Sequence, residues 1–233
     1  MDNAMGIVFI SGAGLHGAIW DGLKNDLKIP VLTVDFADRT KLTFDGYVNR
    51  AVTAIADWEN HHFILVAHSI GALVGLKVAE RFEERLKGFV AIGSVIPKNG
   101  QSFASSMPFP QRLILPILLW LFGTKPPKKS IESELCHDLP LDTTANIVNN
   151  FTPESKALYT TKIHFDLPGT RRLYIKLTDD KTITTDLQDQ MIKNLNATEV
   201  KTIHSGHLPM LSKPVELANI LNGFMTDITS EQS

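Results

Sequence analysis

The chain has 233 residues, with 23 Lys and Arg against 25 Asp and Glu, so its formal charge is −2 and it has no general electrostatic pull toward nucleic acid or an anionic membrane. The single Cys excludes an internal disulfide and any zinc module built on two or four cysteines. Hydrophobic content of 43% and charged content of 21% fit a globular chain with an ample core, which at this length commonly forms one α/β unit.

Met1-Asp2-Asn3 is acidic where a secretory signal is basic, and the apolar stretch from Met5 to Ile10 is too short for one. Leu113 to Phe122, interrupted by Pro116, falls short of the ~20 residues of a membrane-spanning helix. These features predict a cytoplasmic chain with no membrane span. In chain order, Gly6–Ile10, Val31–Val34, Phe63–Val66, Gly88–Ile92, Leu173–Leu177 and Thr198–Ile203 read as six strands. Most are near-continuous apolar runs, the mark of strands covered on both faces in a parallel sheet. Apolar residues at helical spacing lie between them: Tyr47 to Trp58, Leu73 to Phe82, Leu187 to Leu195 and Val215 to Phe224. The order β-α-β-α-β-α-β, insertion, β-α-β-α predicts a doubly wound sheet with right-handed crossovers.

The insertion, residues 97–170, is rich in Pro and helical in broken stretches. A structureless loop of that length is rare, so it is expected to fold as helices over one end of a core made of residues 1–96 and 171–233. Arg112 to Phe122 is apolar nearly all round, which predicts a helix buried on several sides or facing a ligand cavity.

Val66-Ala67-His68-Ser69-Ile70-Gly71-Ala72 carries the sharpest chemical signal, because a buried strand breaks directly into a helix at a serine. A serine hydroxyl is a weak nucleophile that must be exposed and given a base. A tight strand-to-helix turn does the first and demands small residues two before and two after, here Ala67 and Gly71. It also sets Ser69 at a helix N-terminus, which favours developing negative charge. The stretch resembles the nucleophile elbow of the α/β-hydrolase superfamily, with Ala67 at the first glycine position. A serine at its centre separates it from the branches that use a carboxylate nucleophile.

The resemblance implies an α/β-hydrolase fold with a helical cap and a Ser–acid–His order along the chain. It assigns Ser69 as nucleophile and His207, in Gly206-His207-Leu208-Pro209, as base; His204 is the local rival. Thr178-Asp179-Asp180-Lys181 is similar to the superfamily's acid turn, which favours Asp180 over Asp179. The oxyanion donors are expected to be the backbone N–H groups of Ile70 and of Ala13, the latter in the Ser11-Gly12-Ala13-Gly14 turn after the first strand. That turn is a poor dinucleotide fingerprint. No organic cofactor or metal is implied; His61 and His62 read as loop residues without further ligands.

The chain is most similar to esterases of the plant methylesterase and hydroxynitrile lyase-like group, and loosest in the cap. Lyase members carry Thr in the oxyanion turn and Lys after the histidine, where this chain has Gly12 and Leu208. Ester hydrolysis through an acyl-enzyme on Ser69 is therefore the expectation, with a small-molecule ester bearing a hydrophobic group as substrate. The rivals are a lyase or carbon–carbon bond hydrolase on the same scaffold, or a weakly catalytic small-molecule-binding protein. Gly12, His68, Leu118, Trp120 and Leu208 are the candidate substrate contacts, and Cys136-His137-Asp138 reads as a structural cap segment.

Overall fold

Alternate residues of the first strand point to opposite faces, and in this chain both sets are apolar. In the computed structural model, which describes residues 5–231, Val8 and Ile10 join one core layer while Ile7 and Phe9 join the other. The strands are β1 (Met5–Ile10), β2 (Val31–Val34), β3 (His62–His68), β4 (Leu86–Ile92), β5 (Arg171–Leu177) and β6 (Glu199–Ile203). Every pairing among them is parallel, in the order β2-β1-β3-β4-β5-β6. All six expected strands are present; β1, β4 and β5 run one or two residues longer than their apolar runs and β3 three longer, while β6 starts one residue later.

The helices of the core are α1 (Asp21–Leu27), α2 (Phe44–Ala56), α3 (Gly71–Ala79), α9 (Thr185–Leu195), α10 (Pro209–Ser212) and α11 (Pro214–Glu231). Between β4 and β5 lie α4 (Phe103–Ser106), α5 (Gln111–Phe122), α6 (Lys128–Ser130), α7 (Leu141–Asn150) and α8 (Lys156–Thr160), with a π-helical turn at Ile131–Leu135. Tyr47, Ala51 and Ile55 of α2 cover one face of the sheet together with α3 and Met191 and Leu195 of α9. Leu23 and Leu27 of α1 and Leu217, Leu221 and Phe224 of α11 cover the other. Thr43 starts α2 by accepting a hydrogen bond from the Gly46 N–H. Trp58 and Phe82, expected at helix ends, fall in the turns after α2 and α3.

The chain crosses from β2 at one edge over β1 to β3, so the winding reverses between β1 and β3. In open parallel sheets a crevice opens at the carboxyl ends of the strands where the winding reverses. Register pairs Ile10 with Ala67, which sets the turn after β1 beside the turn after β3. Those are the two turns singled out from the sequence.

Helix α5 departs from expectation. It is neither buried on several sides nor turned into a cavity: only Leu119 is buried and Leu115 half-buried, while its other apolar side chains are exposed. It packs chiefly on α4 and α8 through that narrow seam, and most of its circumference faces solvent.

Candidate active site

Ser69 has φ +54°, a left-handed conformation that is strained for a residue with a side chain. The geometry is held from three sides. The Ser69 N–H donates to the Ile92 carbonyl at 3.1 Å, and its own carbonyl accepts from Ala72 and Val95 at 3.3 and 3.4 Å. Gly71 lies so close to β1 that a Cβ there would stand 2.5 Å from the Ser11 carbonyl oxygen, so only glycine fits. A packed sheet thus maintains the strain.

The imidazole of His207 comes from the loop after β6 and lies with Ser69 on one cavity of about 170 Å³. Its Nδ1 is 2.6 Å from Asp180 Oδ2, and both side chains are buried. The hydrogen-bond network assigns the ring proton to Nδ1, leaving the Nε2 lone pair available. Asp180 Oδ1 accepts from the Thr182 and Ile183 N–H groups at 2.7 and 2.9 Å. Burial pushes the Asp180 carboxyl up, but His207 and these hydrogen bonds outweigh it and hold the group below its ordinary value. The acid loop is itself anchored by Gln188, which accepts from the Leu177 N–H and donates to the Ile183 carbonyl. Asp179, the alternative acid, accepts from the Thr178 hydroxyl at 3.2 Å, and its backbone pairs with Ser205 and His137. His204 Nδ1 is 2.9 Å from the Thr178 hydroxyl.

Ala13 and Ile70 both line the cavity, as do Gly12 and His68. Gly12 serves close packing against the serine turn: a Cβ there would stand 2.8 Å from His68 Nδ1 and 2.9 Å from Ser69 Cβ. His68 donates from Nε2 to the His207 carbonyl at 2.8 Å, and its Nδ1 is buried without a hydrogen-bond partner. Burial drives its pKa down to about 3, so the ring is neutral near pH 7. It therefore braces the His207 loop. The remaining wall is mostly apolar, with Leu15, Phe103, Ile131, Phe151 and Tyr159.

Three expected substrate contacts are not met. Leu118 and Trp120 are exposed on α5 and do not line the cavity, because that helix attaches by its opposite side. Leu208 is fully buried in the core layer of α1 and α11. A larger, open groove of about 860 Å³ runs along β6 and α11 at the sheet edge and contains none of Ser69, Asp180 or His207.

Two features escaped sequence reasoning. Glu154, from the segment between α7 and α8, is buried with its Oε1 accepting from the Gly14 N–H at 2.9 Å and from Arg39 Nη1 at 2.8 Å. Its Oε2 is 2.6 Å from the Tyr47 hydroxyl, and burial, with the carboxylate beside it, pushes that phenol well above its ordinary value. The turn after β1 is thereby tied to a buried ion pair, and the Gly14 carbonyl accepts from Thr152 at 3.1 Å as well. Second, Asp138 accepts from the Gly206 N–H at 2.6 Å, and His137 Nε2 donates to the Asp179 carbonyl at 2.8 Å. Cys136-His137-Asp138 thus clamps the loops that carry Asp180 and His207. The motif was visible; its partners, far away in sequence, were not.

A strand-end serine in a strained turn, beside a histidine paired with a buried acid above a parallel sheet, defines the class. Residues 7–220 match the model of the alpha/beta hydrolase family, and the chain belongs to that family. Among curated relatives it is 29% identical to methyl jasmonate esterase 1 of Vitis vinifera over 68% of each chain. Among solved structures it resembles an extracellular alpha/beta-hydrolase from a Paenibacillus species, with a TM-score of 0.84 and 20% identity over 93% of this chain and 97% of that one. A methylesterase from Arabidopsis superposes with a TM-score of 0.75 and 18% identity over 95% and 99% of the two chains. The structural neighbours show the shared fold, and the grapevine relative is named as an esterase.

Proposed function

We propose that the protein is a serine hydrolase that cleaves small carboxylic esters through an acyl-enzyme on Ser69. The observation that carries this reading is the meeting of Ser69 and His207 on one cavity, with His207 Nδ1 held 2.6 Å from a buried Asp180. His207 Nε2 takes the Ser69 proton as the hydroxyl oxygen attacks the ester carbonyl, and Asp180 stabilises the imidazolium that results. The N–H groups of Ala13 and Ile70 receive the oxyanion, a role in which one donor typically contributes 10²–10³ in turnover. The imidazolium then protonates the departing alcohol, and the neutral ring activates water to release the acid and regenerate Ser69.

The cavity supports a short or medium apolar acyl or alcohol group. About 170 Å³ of space and its aromatic and aliphatic wall suit such a group, whereas long chains exceed that space. Cyanohydrin cleavage is disfavoured because no Lys or Arg lines the cavity to hold cyanide. The esterase activity named for the grapevine relative agrees with this choice.

A p-nitrophenyl ester series of rising acyl length, run on the wild type and on Ser69→Ala, tests the proposal. Turnover is expected to be highest on short acyl groups and to fall by at least about 10⁴-fold in the variant. Phosphonate labelling should vanish with it. Equal hydrolysis by Ser69→Ala removes the nucleophile assignment, and a wild type inert on every ester favours the small-molecule-binding reading.

A further inference from the structure

Helix α5 presents an apolar surface that nothing among the described residues covers. At about 100° per residue, its exposed apolar side chains sweep some 200° of the helix, from Trp120 on one side through Leu113, Ile117 and Leu121 to Phe122 on the other. Trp120 is 73% exposed, Ile117 57% and Phe122 77%. Just ahead of the helix Phe109 is exposed as well. Exposed apolar surface of this extent marks an interaction site rather than an ordinary protein surface.

Charge selects the partner. Residues 101–131 contain Arg112, Lys125, Lys128 and Lys129 and no Asp or Glu, in a chain whose overall charge is negative. All four are exposed, and Lys156 adds a fifth cation at the helix end, its Nζ donating to the Trp120 carbonyl at 3.3 Å. Lys128 reaches Glu132 at 3.6 Å, across an exposed pair that the solvent screens. A two-fold dimer through α5 would set this cationic belt against its own copy. A flat protein partner would also leave much of a 200° arc in water. A lipid interface satisfies both features, because acyl chains surround a half-immersed helix while anionic headgroups meet the flanking cations.

We infer that α5 is a membrane-surface docking helix, lying in the plane of an anionic bilayer interface without crossing it. No helix among the described residues is long and apolar enough to span a membrane. The site proposed for catalysis is next to it. The chain leaves α5 and within a few residues reaches Pro126, which lines the cavity of Ser69 and His207. Docking therefore brings the cavity to the surface where lipophilic molecules partition, although the docking inference does not depend on the ester reading.

Sedimentation of the full chain with phosphatidylcholine vesicles, with and without phosphatidylglycerol, tests it without any activity measurement. The wild type should pellet with the anionic vesicles and shift Trp fluorescence to the blue, a shift lost in Trp120→Phe because Trp20 is already fully buried and Trp58 is half-buried against Phe63 at the start of β3. Leu113→Glu/Ile117→Glu/Leu121→Glu should melt near the wild-type temperature, since each of these side chains is more than half exposed, yet bind vesicles at least about tenfold more weakly. Lys125→Glu/Lys129→Glu should weaken binding by about tenfold on anionic vesicles and little on neutral ones. A wild type that stays in the supernatant overturns the inference, as does a triple variant that pellets equally well. So does a dimer, detected by ultracentrifugation and abolished in the triple variant, that shows no affinity for vesicles.

Discussion

Strand β3 and helix α5 are both strongly apolar segments of the chain, and they end in opposite environments. Ile64, Leu65 and Val66 are wholly buried between helices on both faces of the sheet, whereas α5 buries Leu119 and leaves most of its apolar residues in solvent. Hydrophobic composition states a demand for cover but not who supplies it. A central parallel strand is covered by the crossovers that its own topology requires. A helix in an insertion has no such guarantee, and α5 finds support along one seam only.

The sharpest consequence lies at the site that β3 positions. Asp180→Asn removes the carboxylate that fixes the His207 tautomer and should lower ester turnover by about 10³–10⁴-fold with little change in KM. Next in size is the buried pair that ties the insertion to the turn after β1. Glu154→Ala leaves the buried Arg39 with only the half-exposed Asp35 as counter-charge and should cost up to about 3–5 kcal/mol in urea unfolding. A loss below about 1 kcal/mol would mean that the pair does not bind the two regions together.

Paired truncations then test the contrast itself. Leu65→Ala should destabilise by about 2–5 kcal/mol through the cavity it leaves, and Leu121→Ala by under about 0.5 kcal/mol. Comparable losses would mean that α5 is packed in solution. The remaining effect concerns pH and is small near neutrality. His68 is neutral in the fold with a pKa of about 3, while the unfolded ring titrates near 6.5. Between those values the unfolded chain binds the extra proton, so stability from this group is complete above about pH 6.5 and declines by up to about 1.4 kcal/mol per pH unit toward pH 3. His68→Gln should flatten that limb of an unfolding-versus-pH curve.

The sheet was legible because its signal is redundant: strands covered on both faces are apolar at every position, and Gly71 and Ala67 announce the turn at Ser69. The order Ser69, Asp180, His207 was equally readable, since each residue lies shortly after a strand and the sheet brings strand ends together. Leu118, Trp120 and Leu208 were misread because the side a residue faces depends on how an element docks. An all-round apolar helix carries no phase to reveal that, and Leu208 follows His207 into the core instead of the cavity. Glu154 was invisible for a different reason. It is one acid among ordinary polar neighbours, and its partners Gly14, Arg39 and Tyr47 lie more than 100 residues away.

The contacts of His137 and Asp138 bear on how such proteins can be recombined. Both residues fall inside the segment that a chimera would exchange to alter specificity, yet they grip backbone groups beside Asp180 and His207. A transplant of residues 97–170 from a relative must therefore bring equivalent donors and acceptors with it. Otherwise the recipient keeps Ser69, Asp180 and His207 and loses their alignment.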